Sequence, residues 1–399
     1  MFLKKLIERN PNFIKSAIAL HQSRKIPANS VVLDLDMINK NAAIIAAEGK
    51  RLGLKVFPMT KQIGRNPKAM DILAKNGLDA YVAVDMTGAL PIKAAGYMIG
   101  HLGHLVQIPK AETDVAASLE PYYWTVFNYE NAKSASDSSS KLSREQALLA
   151  RIYAPGDTFY MGHEGGFRAE AIVKVADELD SLSHAFFAGI TTFPALLFNI
   201  DSGEVEPTPN LRTLEKSANE LSNVDRKNIE INAPGTTSSV VMEILASAGA
   251  TQVEPGHGLT GTTPLHAVKD LPEFPAILYL TEISHVYNGH PYCFGGGLYI
   301  DPVFPDYDVK ALIGTEPDDA IKNQLSVNLP PTSAIDYYGI VTDEGSEKVH
   351  VNDTVIFGFR PQAFVTRTYI VPVSGISKEE PIVKGVYTSG GRKTNWPQW

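Results

Sequence analysis

Leu54-Lys55-Val56-Phe57-Pro58-Met59-Thr60-Lys61 is the stretch on which the interpretation of the whole chain depends. Its apolar residues predict a short buried strand that delivers Lys61 at its C-terminal end. Burying a lysine is costly because the ammonium group loses its hydration, and a buried lysine tends to lose its proton. Neutral lysine is the form that reacts with aldehydes. Lys61 is therefore a candidate catalytic residue, and a strand-end lysine that simply points into solvent is the alternative.

The composition is that of an ordinary globular protein. The chain has 399 residues, 44% of them hydrophobic and 20% charged, which is enough for one large domain and a smaller one. The formal charge of −8 argues against nucleic acid as a partner. No apolar run is long enough to span a membrane, and residues 1–20 predict a helix rather than a signal peptide. The single cysteine, Cys293, excludes an internal disulfide and favours a cytoplasmic location.

Strand and helix patterns alternate from the Lys61 strand onward, after a first strand at 31–34 and its helix. The predicted strands are 54–61, 80–84, 104–108, 123–127, 147–153, 186–190, 229–232 and 251–254. Most of them are followed by a helical segment, which is the signature of an α/β fold of the (β/α)8 TIM-barrel type.

The pattern changes after about residue 275. Short β-rich runs at 277–283, 298–300, 337–341, 354–359 and 368–373 alternate with turns there. We therefore predict two domains: a barrel with its N-terminal helix and strand at 1–275, and an all-β domain at 276–399.

Two glycine turns follow the last two barrel strands, where such barrels often hold phosphate. The first is Asn232-Ala233-Pro234-Gly235-Thr236-Thr237-Ser238-Ser239, in which hydroxyl groups run into a predicted helix. The second is Glu254-Pro255-Gly256-His257-Gly258. Free amides at such a turn favour a phosphate, although Thr236 could merely cap the helix. A lysine on strand 1 with phosphate loops after strands 7 and 8 indicates a phosphorylated aldehyde, and pyridoxal 5′-phosphate fits both ends. The candidate cofactor-binding residues in these turns are Asn232, Gly235, Thr236, Thr237, Gly256 and His257.

With these features the chain resembles the fold type III pyridoxal-phosphate enzymes, which include alanine racemase, D-threonine aldolase, D-serine dehydratase and amino-acid decarboxylases. It is most similar to the bacterial YhfX group, over nearly its whole length. The resemblance implies a Schiff base at Lys61. The segment Met161-Gly162-His163-Glu164-Gly165-Gly166-Phe167 resembles the racemase MxRLGF loop, with His163 in place of the arginine near the cofactor's phenolic oxygen. Phe193 falls where the racemases have a histidine that packs on the pyridine ring; plain core packing is the alternative.

Glu254 is the main departure from alanine racemase. That family has arginine here, in RPG, beside the pyridine nitrogen, whereas the decarboxylases have EPG, as this chain does. A carboxylate favours a protonated pyridine nitrogen, which is a stronger electron sink. The resemblance therefore places Glu254 among the cofactor-binding residues; a carboxylate held by loop amides is the alternative.

A racemase also needs a second acid–base group opposite the lysine. In the relatives it comes from the partner subunit's β domain, and Cys293 falls nearest to that place here. Inert burial of Cys293 is the alternative. The metal-dependent relatives carry a His-x-Cys pair where this chain has Gln362 and Phe364, so we predict no metal site, with His285 and His290 as distant candidates.

These observations predict a cytoplasmic, homodimeric enzyme that uses pyridoxal 5′-phosphate at the Cα of a small amino acid, with no nucleic-acid or membrane partner. Racemisation is the first candidate reaction. A decarboxylase, a D-amino-acid lyase or dehydratase, and a pyridoxal-phosphate-binding protein without turnover are the alternatives. A phosphate-sugar barrel enzyme, which forms no Schiff base, is a further one.

The position of Lys61 predicts the outcome of a labelling experiment. Borohydride reduction of the protein with pyridoxal 5′-phosphate should leave a pyridoxyl group on Lys61, which peptide mass spectrometry can locate. Lys55, on the same predicted strand, is the internal control and should stay unlabelled. A label confined to another lysine would contradict the assignment.

Overall fold

The structure is a computed structural model that describes residues 1–295, 303–304, 308–331, 337–343, 345–360 and 368–397. These residues divide into two compact units. The barrel unit comprises Ala43–Thr60 and Leu73–Gly256, and the β unit comprises Met1–Ala42, Lys61–Ile72 and His257–Trp399. The chain enters each unit more than once, so each is built from segments that are distant in sequence.

The helices are α1 Phe2–Arg9, α2 Pro11–Gln22, α3 Leu35–Leu52, α4 Pro67–Lys75, α5 Met86–Ala94, α6 Thr113–Ser118, α7 Tyr129–Ser140, α8 Ile172–Asp180, α9 Pro209–Asn223, α10 Met242–Ser247, α11 Pro264–Val268 and α12 Pro317–Ala320. The strands are β1 Ser30–Asp34, β2 Lys55–Val56, β3 Ala80–Ala83, β4 Met98–Leu102, β5 Tyr123–Val126, β6 Gln146–Tyr153, β7 Phe167–Arg168, β8 Ala185–Thr191, β9 Leu196–Asn199, β10 Glu204–Pro207, β11 Glu230–Asn232, β12 Gln252–Val253, β13 Ile277–Tyr287, β14 His290–Phe294, β15 Lys310–Gly314, β16 Gln324–Asn328, β17 Tyr338–Val341, β18 Thr354–Phe357, β19 Tyr369–Ser374, β20 Ile382–Val383 and β21 Tyr387–Thr388. None of these helices is long and apolar enough to cross a bilayer.

The barrel unit is organised around a parallel sheet in the order β2-β12-β11-β8-β6-β5-β4-β3, with β7 beside β6. A parallel bridge between Met59 and Val82 joins the two ends of this order. Eight parallel strands with helices between them confirm the predicted α/β barrel class. Val82, Leu149 and Ile190 are fully buried, as strands covered on both faces require.

The third barrel strand lies earlier than the sequence predicts. The prediction of 104–108 was wrong, because the strand is Met98–Leu102 and residues 104–108 form a loop. Gly100 and His101 interrupt the apolar pattern there, which is why the strand was missed. A Cβ at Gly100 would meet the Phe57 ring at 2.5 Å, so this strand requires glycine for close packing.

The first barrel strand is also shorter than predicted. Only Lys55 and Val56 form regular pairs with β12, and Pro58, which has no N–H to donate, follows within two residues. Backbone contacts nevertheless continue along the stretch, because Met59 N donates to Pro255 O at 2.9 Å.

The β unit contains a mostly antiparallel sheet in the order β14-β17-β16-β15-β18-β13-β1-β19-β20, with β21 beside β19. β14 also pairs with β13, which closes six of these strands into a barrel and confirms the predicted all-β architecture of the C-terminal region. The N-terminal strand β1 belongs to this sheet, between β13 and β19. The division at residues 275 and 276 stays a prediction, and the predicted strand at 298–300 lies outside the described residues.

The packing of α1 and α2 explains why the N-terminus accompanies this sheet. Phe13, Ile14 and Ile18 of α2 are fully buried in a core cluster that includes Leu280 and Ile356 of the sheet. At roughly 1.5–3 kcal/mol for each fully buried large apolar side chain, these contacts make a substantial contribution to stability.

The barrel register predicts a stability difference between two glycine substitutions. A Cβ at Gly189 would overlap the carbonyl oxygen of Glu230 on the neighbouring strand, whereas one at Gly88 would make only contacts of 3.5 Å or more. We expect Gly189→Ala to lower the free energy of unfolding by about 2 kcal/mol or more, because β8 and β11 must separate. Gly88→Ala, in a helix, should be neutral within about 1 kcal/mol. Thermal unfolding of both variants compares them, and equal melting temperatures would contradict this register.

Candidate active site

Glu254 lies at the centre of a buried polar cluster, directly after β12, and only 5% of the residue is exposed. Its Oε1 accepts hydrogen bonds from His101 Nδ1 and from Asn232 Nδ2, the latter at 2.9 Å. Its Oε2 lies 3.4 Å from Nδ1 of His104. Burial acts to raise the pKa of Glu254, but the charges of His104 and His101 and the hydrogen bonds from His101 and Asn232 outweigh it and lower the pKa to about 2. The carboxylate is therefore ionised at neutral pH.

Two pairs of adjacent strands supply the groups around Glu254. Asn232 ends β11, and its Oδ1 accepts a hydrogen bond of 2.7 Å from Thr191 at the end of β8. His101 lies in β4, and its Nε2 is hydrogen-bonded to Thr125 Oγ1 of β5. All four side chains are at most 1% exposed. Parallel strands bring their C-terminal ends to one edge of a barrel, and this edge is where barrel enzymes hold their substrates.

Phe193 lies among aromatic and imidazole rings at the same end of the barrel. Its centroid is 5.5 Å from that of His104, 6.2 Å from that of His163 and 5.8 Å from that of Tyr160. Phe193 is half-buried. The structure therefore brings together the predicted residues His163 and Phe193, and it adds His104 and Tyr160, which the sequence did not single out.

Arg151, in β6, is a second residue that sequence reasoning missed. Its guanidinium donates to the backbone oxygens of His163 at 2.6 Å and Phe193 at 3.4 Å and lies 4.8 Å from the Phe127 ring centroid. Burial lowers the pKa of Arg151 to about 10, so it is still charged at neutral pH. Among the described residues its Nε has no hydrogen-bond partner. A charged residue in a predicted barrel strand was the available signal, because such residues are almost never fully buried unless they are paired.

The donor atoms of His101, His104 and Glu254 lie within 4.8 Å of one another, which is the composition of a metal site. However, His101 Nδ1 and Glu254 Oε1 are in direct hydrogen-bond contact. The expectation of no catalytic metal stays a prediction.

The turn after β11 is held close to the hairpin of β9 and β10. Ala195 N donates to Pro234 O at 2.8 Å, and Thr236 N donates to Leu196 O at 3.1 Å. A Cβ at Gly235 would meet Leu196 N at 2.7 Å, so the approach requires glycine. Thr237 is buried, and its Oγ1 donates to Gly235 O at 3.3 Å. A 3₁₀ turn at Ser239–Val241 and then α10 follow, instead of one helix from Ser238. Phosphate binding by Gly235, Thr236 and Thr237 stays a prediction.

Lys61 and His257 lie in segments of the β unit. Lys61 is half-buried and begins the 3₁₀ turn Lys61–Ile63, directly after the Met59–Thr60 end of the first barrel strand in sequence. Nε2 of Gln62 lies 3.5 Å from Nε2 of His257, which follows the buried Gly256. Within this unit Gln62, the residue after Lys61, therefore lies next to His257 of the second predicted phosphate turn.

Cys293 is fully buried in the sheet of its own chain, opposite Ile283 of β13 and Gly339 of β17. Burial raises the pKa of the Cys293 thiol to about 12. This placement favours the interpretation of Cys293 as a core side chain, and its predicted acid–base role gains no support. His285 stacks on Tyr292 at 4.7 Å between ring centroids. Gln362 and Phe364 lie outside the described residues.

The barrel-mouth residues suit pyridoxal 5′-phosphate chemically. Oε2 of Glu254 and Nε of Arg151 are buried polar atoms that make no hydrogen bond within the described part of the chain. An ionised carboxylate can pair with a protonated ring nitrogen, a guanidinium with a phenolate oxygen, and the face of Phe193 with an aromatic ring. A parallel barrel and a β domain with this donor set define the class of fold type III pyridoxal-phosphate proteins.

Comparison with known sequences agrees with this class. Residues 33–264 match the family described as "Alanine racemase, N-terminal domain", and residues 278–383 match "YhfX-like, C-terminal domain". The chain is 37% identical over 391 residues to "Uncharacterized protein YhfX" of Escherichia coli (strain K12), covering 98% of this chain and 99% of that protein. The chain therefore belongs to the alanine racemase N-terminal domain family, with a YhfX-like C-terminal domain. Members of this family use pyridoxal 5′-phosphate, the cofactor that the sequence predicts.

Solved structures share the fold at low sequence identity. D-threonine aldolase from Filomicrobium marinum is 13% identical with a TM-score of 0.69, over 92% of this chain and 96% of that one. Alanine racemase from Clostridium difficile 630, in complex with cycloserine, is 15% identical with a TM-score of 0.63, over 91% and 99%. D-threo-3-hydroxyaspartate dehydratase from Delftia sp. HT23 is 12% identical with a TM-score of 0.65, over 90% and 97%.

The lowered pKa of Glu254 predicts a pH-dependent stability difference. A carboxyl whose folded-state pKa is depressed stabilises the fold above its ordinary pKa of 4.5, and this stabilisation is lost as the pH falls toward about 2. Glu254→Gln should therefore lower the melting temperature most at pH 7, and the difference from the native chain should shrink between pH 5 and pH 3. The exposed Glu220 provides the control, Glu220→Gln, which should change little at either pH. A constant difference for Glu254→Gln would contradict the assignment.

Proposed function

We propose that this protein is a pyridoxal 5′-phosphate-dependent enzyme that acts at the Cα of a small amino acid, with racemisation as the first reaction to test. The observation that carries the proposal is the buried, ionised Glu254, clamped by hydrogen bonds from His101 and Asn232. Oε2 of this carboxylate makes no hydrogen bond within the described residues, and a protonated pyridine ring nitrogen is a cation that can pair with it.

Each proposed site residue has its own task. When bound, pyridoxal 5′-phosphate supplies an aldehyde that links to amines and a ring that withdraws electrons from an attached Cα. Lys61 would hold the cofactor through its Nζ and, once an amino acid has displaced it, the same atom would take the Cα proton on its own face; inversion needs a proton delivered to the opposite face. Glu254 Oε2 keeps a proton on the ring nitrogen. The turns with Gly235, Thr236, Thr237, Gly256 and His257 bind the phosphate.

Two further groups position the ring. The Phe193 side chain packs against its face, and a positive charge faces its phenolic oxygen. In the racemase MxRLGF motif an arginine supplies that charge, and His163 occupies its position in this chain. Here Arg151, whose guanidinium donates to the His163 backbone oxygen at 2.6 Å, supplies the charge instead.

A lyase acting on a D-amino acid is the second candidate function. Racemisation needs a second acid–base group, and the predicted one, Cys293, lies in the core of its own sheet with its pKa raised to about 12. A lyase removes a proton or a side-chain fragment from one face of the substrate's Cα, so it needs only one base. Two of the structural neighbours are an aldolase and a dehydratase by name, which supports testing this alternative.

The expected location and assembly of the protein belong to the same proposal. We expect a cytoplasmic protein, because a chain with one cysteine gains nothing from an oxidising compartment. We expect a homodimer, because in the relatives the β domain completes the partner's site. Each subunit alone would offer an acid–base group on one face of the cofactor, and assembly would add a second group on the opposite face. The amino-acid substrate is its only expected partner besides a second copy of the chain.

Exchange of the Cα proton in D2O tests the proposed function. The holoenzyme is incubated with single amino acids of each configuration, and mass spectrometry and chiral chromatography follow deuterium incorporation and inversion. Racemisation gives deuterated product of both configurations, whereas a lyase gives an oxo acid or an aldehyde. Lys61→Arg should lower exchange by on the order of 10³-fold, because the general base is lost. Lys55→Arg is the matched control and should retain full activity. A holoenzyme that neither exchanges nor consumes any amino acid would refute catalysis and leave the binding-protein alternative.

A further inference from the structure

We propose that His101 is a positioning residue for the cofactor's ring nitrogen: it donates Nδ1–H to Glu254 and so maintains the proton on that nitrogen. The inference rests on the proposed function and deepens it. It assigns a role to a residue that does not itself touch the cofactor in this scheme and acts only through the carboxylate.

The first step is the tautomer of His101. An ionised carboxylate only accepts hydrogen bonds, so the contact between His101 Nδ1 and Glu254 Oε1 requires the proton on Nδ1. The opposite ring nitrogen, Nε2, contacts the hydroxyl of Thr125. That hydroxyl can donate to a neutral ring, and both residues are completely buried. Thr125 therefore favours the proton on Nδ1, because the hydrogen bond at one ring nitrogen determines which nitrogen carries the proton.

The second step is the direction of the carboxylate. Asn232 Oδ1 accepts from Thr191 at 2.7 Å, which turns Asn232 Nδ2 toward Glu254 at 2.9 Å. Both donors, His101 and Asn232, use the same oxygen, Oε1. Oε2 makes no hydrogen bond within the described residues. Two donors on one oxygen fix the carboxylate plane and leave the other oxygen for a third group.

The third step is the charge of the cluster. The titratable groups that face Glu254 are His101 from β4 and His104 from the loop after it, while the groups from β11 and β12, Asn232 and Gln252, are neutral. His101 presents Nδ1–H to the ionised carboxylate, and this donor helps to fix the direction of Oε2. A hydrogen-bond donor aimed at Oε1 is therefore what position 101 has to supply.

Isosteric substitutions separate the hydrogen bond from the charge and from mere packing. The side-chain nitrogen of asparagine falls near the place of Nδ1, and that of glutamine near the place of Nε2. His101→Asn therefore keeps the donor to Glu254, whereas His101→Gln places its donor toward Thr125 and leaves Oε1 without it. Both variants lose the imidazole and its packing volume, so they are a matched pair.

The readout is the ring nitrogen itself. The native protein and both variants are loaded with ¹⁵N-labelled pyridoxal 5′-phosphate, and solution NMR follows the nitrogen shift from pH 6 to pH 9, since neutral and protonated pyridine nitrogens have well-separated shifts. We expect a protonated nitrogen in the native protein and in His101→Asn at pH 8. His101→Gln should lose the proton at a pH lower by about one unit or more. Cofactor content and melting temperature are measured alongside, so that loss of folding is recognised.

The possible results are distinguishable. If both variants bind cofactor and keep the native titration, His101 is only a core side chain and the inference is wrong, while the proposed function stands. If both lose the proton equally, the hydrogen-bond donor at position 101 is not what maintains it, and the inference is overturned. If His101→Gln does not fold, Thr125→Val takes its place, because it removes the partner of Nε2 and should lower the titration in the same direction. A native protein that takes up no pyridoxal 5′-phosphate overturns both the inference and the proposed function.

Discussion

A carboxylate buried without water has to be compensated, and the barrel mouth of this protein is built around that requirement. Glu254 is 5% exposed and ionised, so several kcal/mol of lost hydration must be offset by neighbours. The neighbours come from strands far apart in sequence: His101 from β4 and Asn232 from β11. Each is itself oriented by a threonine on an adjacent strand. The parallel barrel is what makes such convergence possible, because it brings successive strand ends to one edge.

Local periodicity was sufficient to predict the barrel, but it could not predict which distant residues would meet. Strands such as β6 and β8 are apolar runs of ordinary length and were located to within about a residue or two at most ends. β4 was missed because a glycine and a histidine lie inside it, and His101 was missed together with its strand. Glu254 was found because the EPG triplet resembles a known motif. Its histidine partner occurs in no short motif, so only the fold could reveal it.

Strand pairing and strand alternation account for the other differences. β1 lies in the β unit between β13 and β19, and both of these strands are more than 200 residues from β1 in sequence. No local pattern predicts such pairing. Cys293 is one of five residues in β14, and alternation along the strand turns its side chain into the core, whereas Tyr292 is only partly buried. The sequence showed only that Cys293 lies near the expected position. It could not show which of two successive strand residues faces the core, because their side chains point to opposite faces.

The difference between the EPG triplet of this chain and the RPG triplet of the alanine racemases is therefore more than one residue. An arginine at position 254 would place a donor-only group against Asn232 Nδ2 and His101 Nδ1, both of which now donate. Those donors would lose their acceptor in a buried site, which costs roughly 1–3 kcal/mol for each unsatisfied group. Thr191 and Thr125 orient the two donors and would have to change as well. A carboxylate at position 254 thus requires a set of strand residues that donate hydrogen bonds, so the glutamate is one part of a difference that involves several barrel strands.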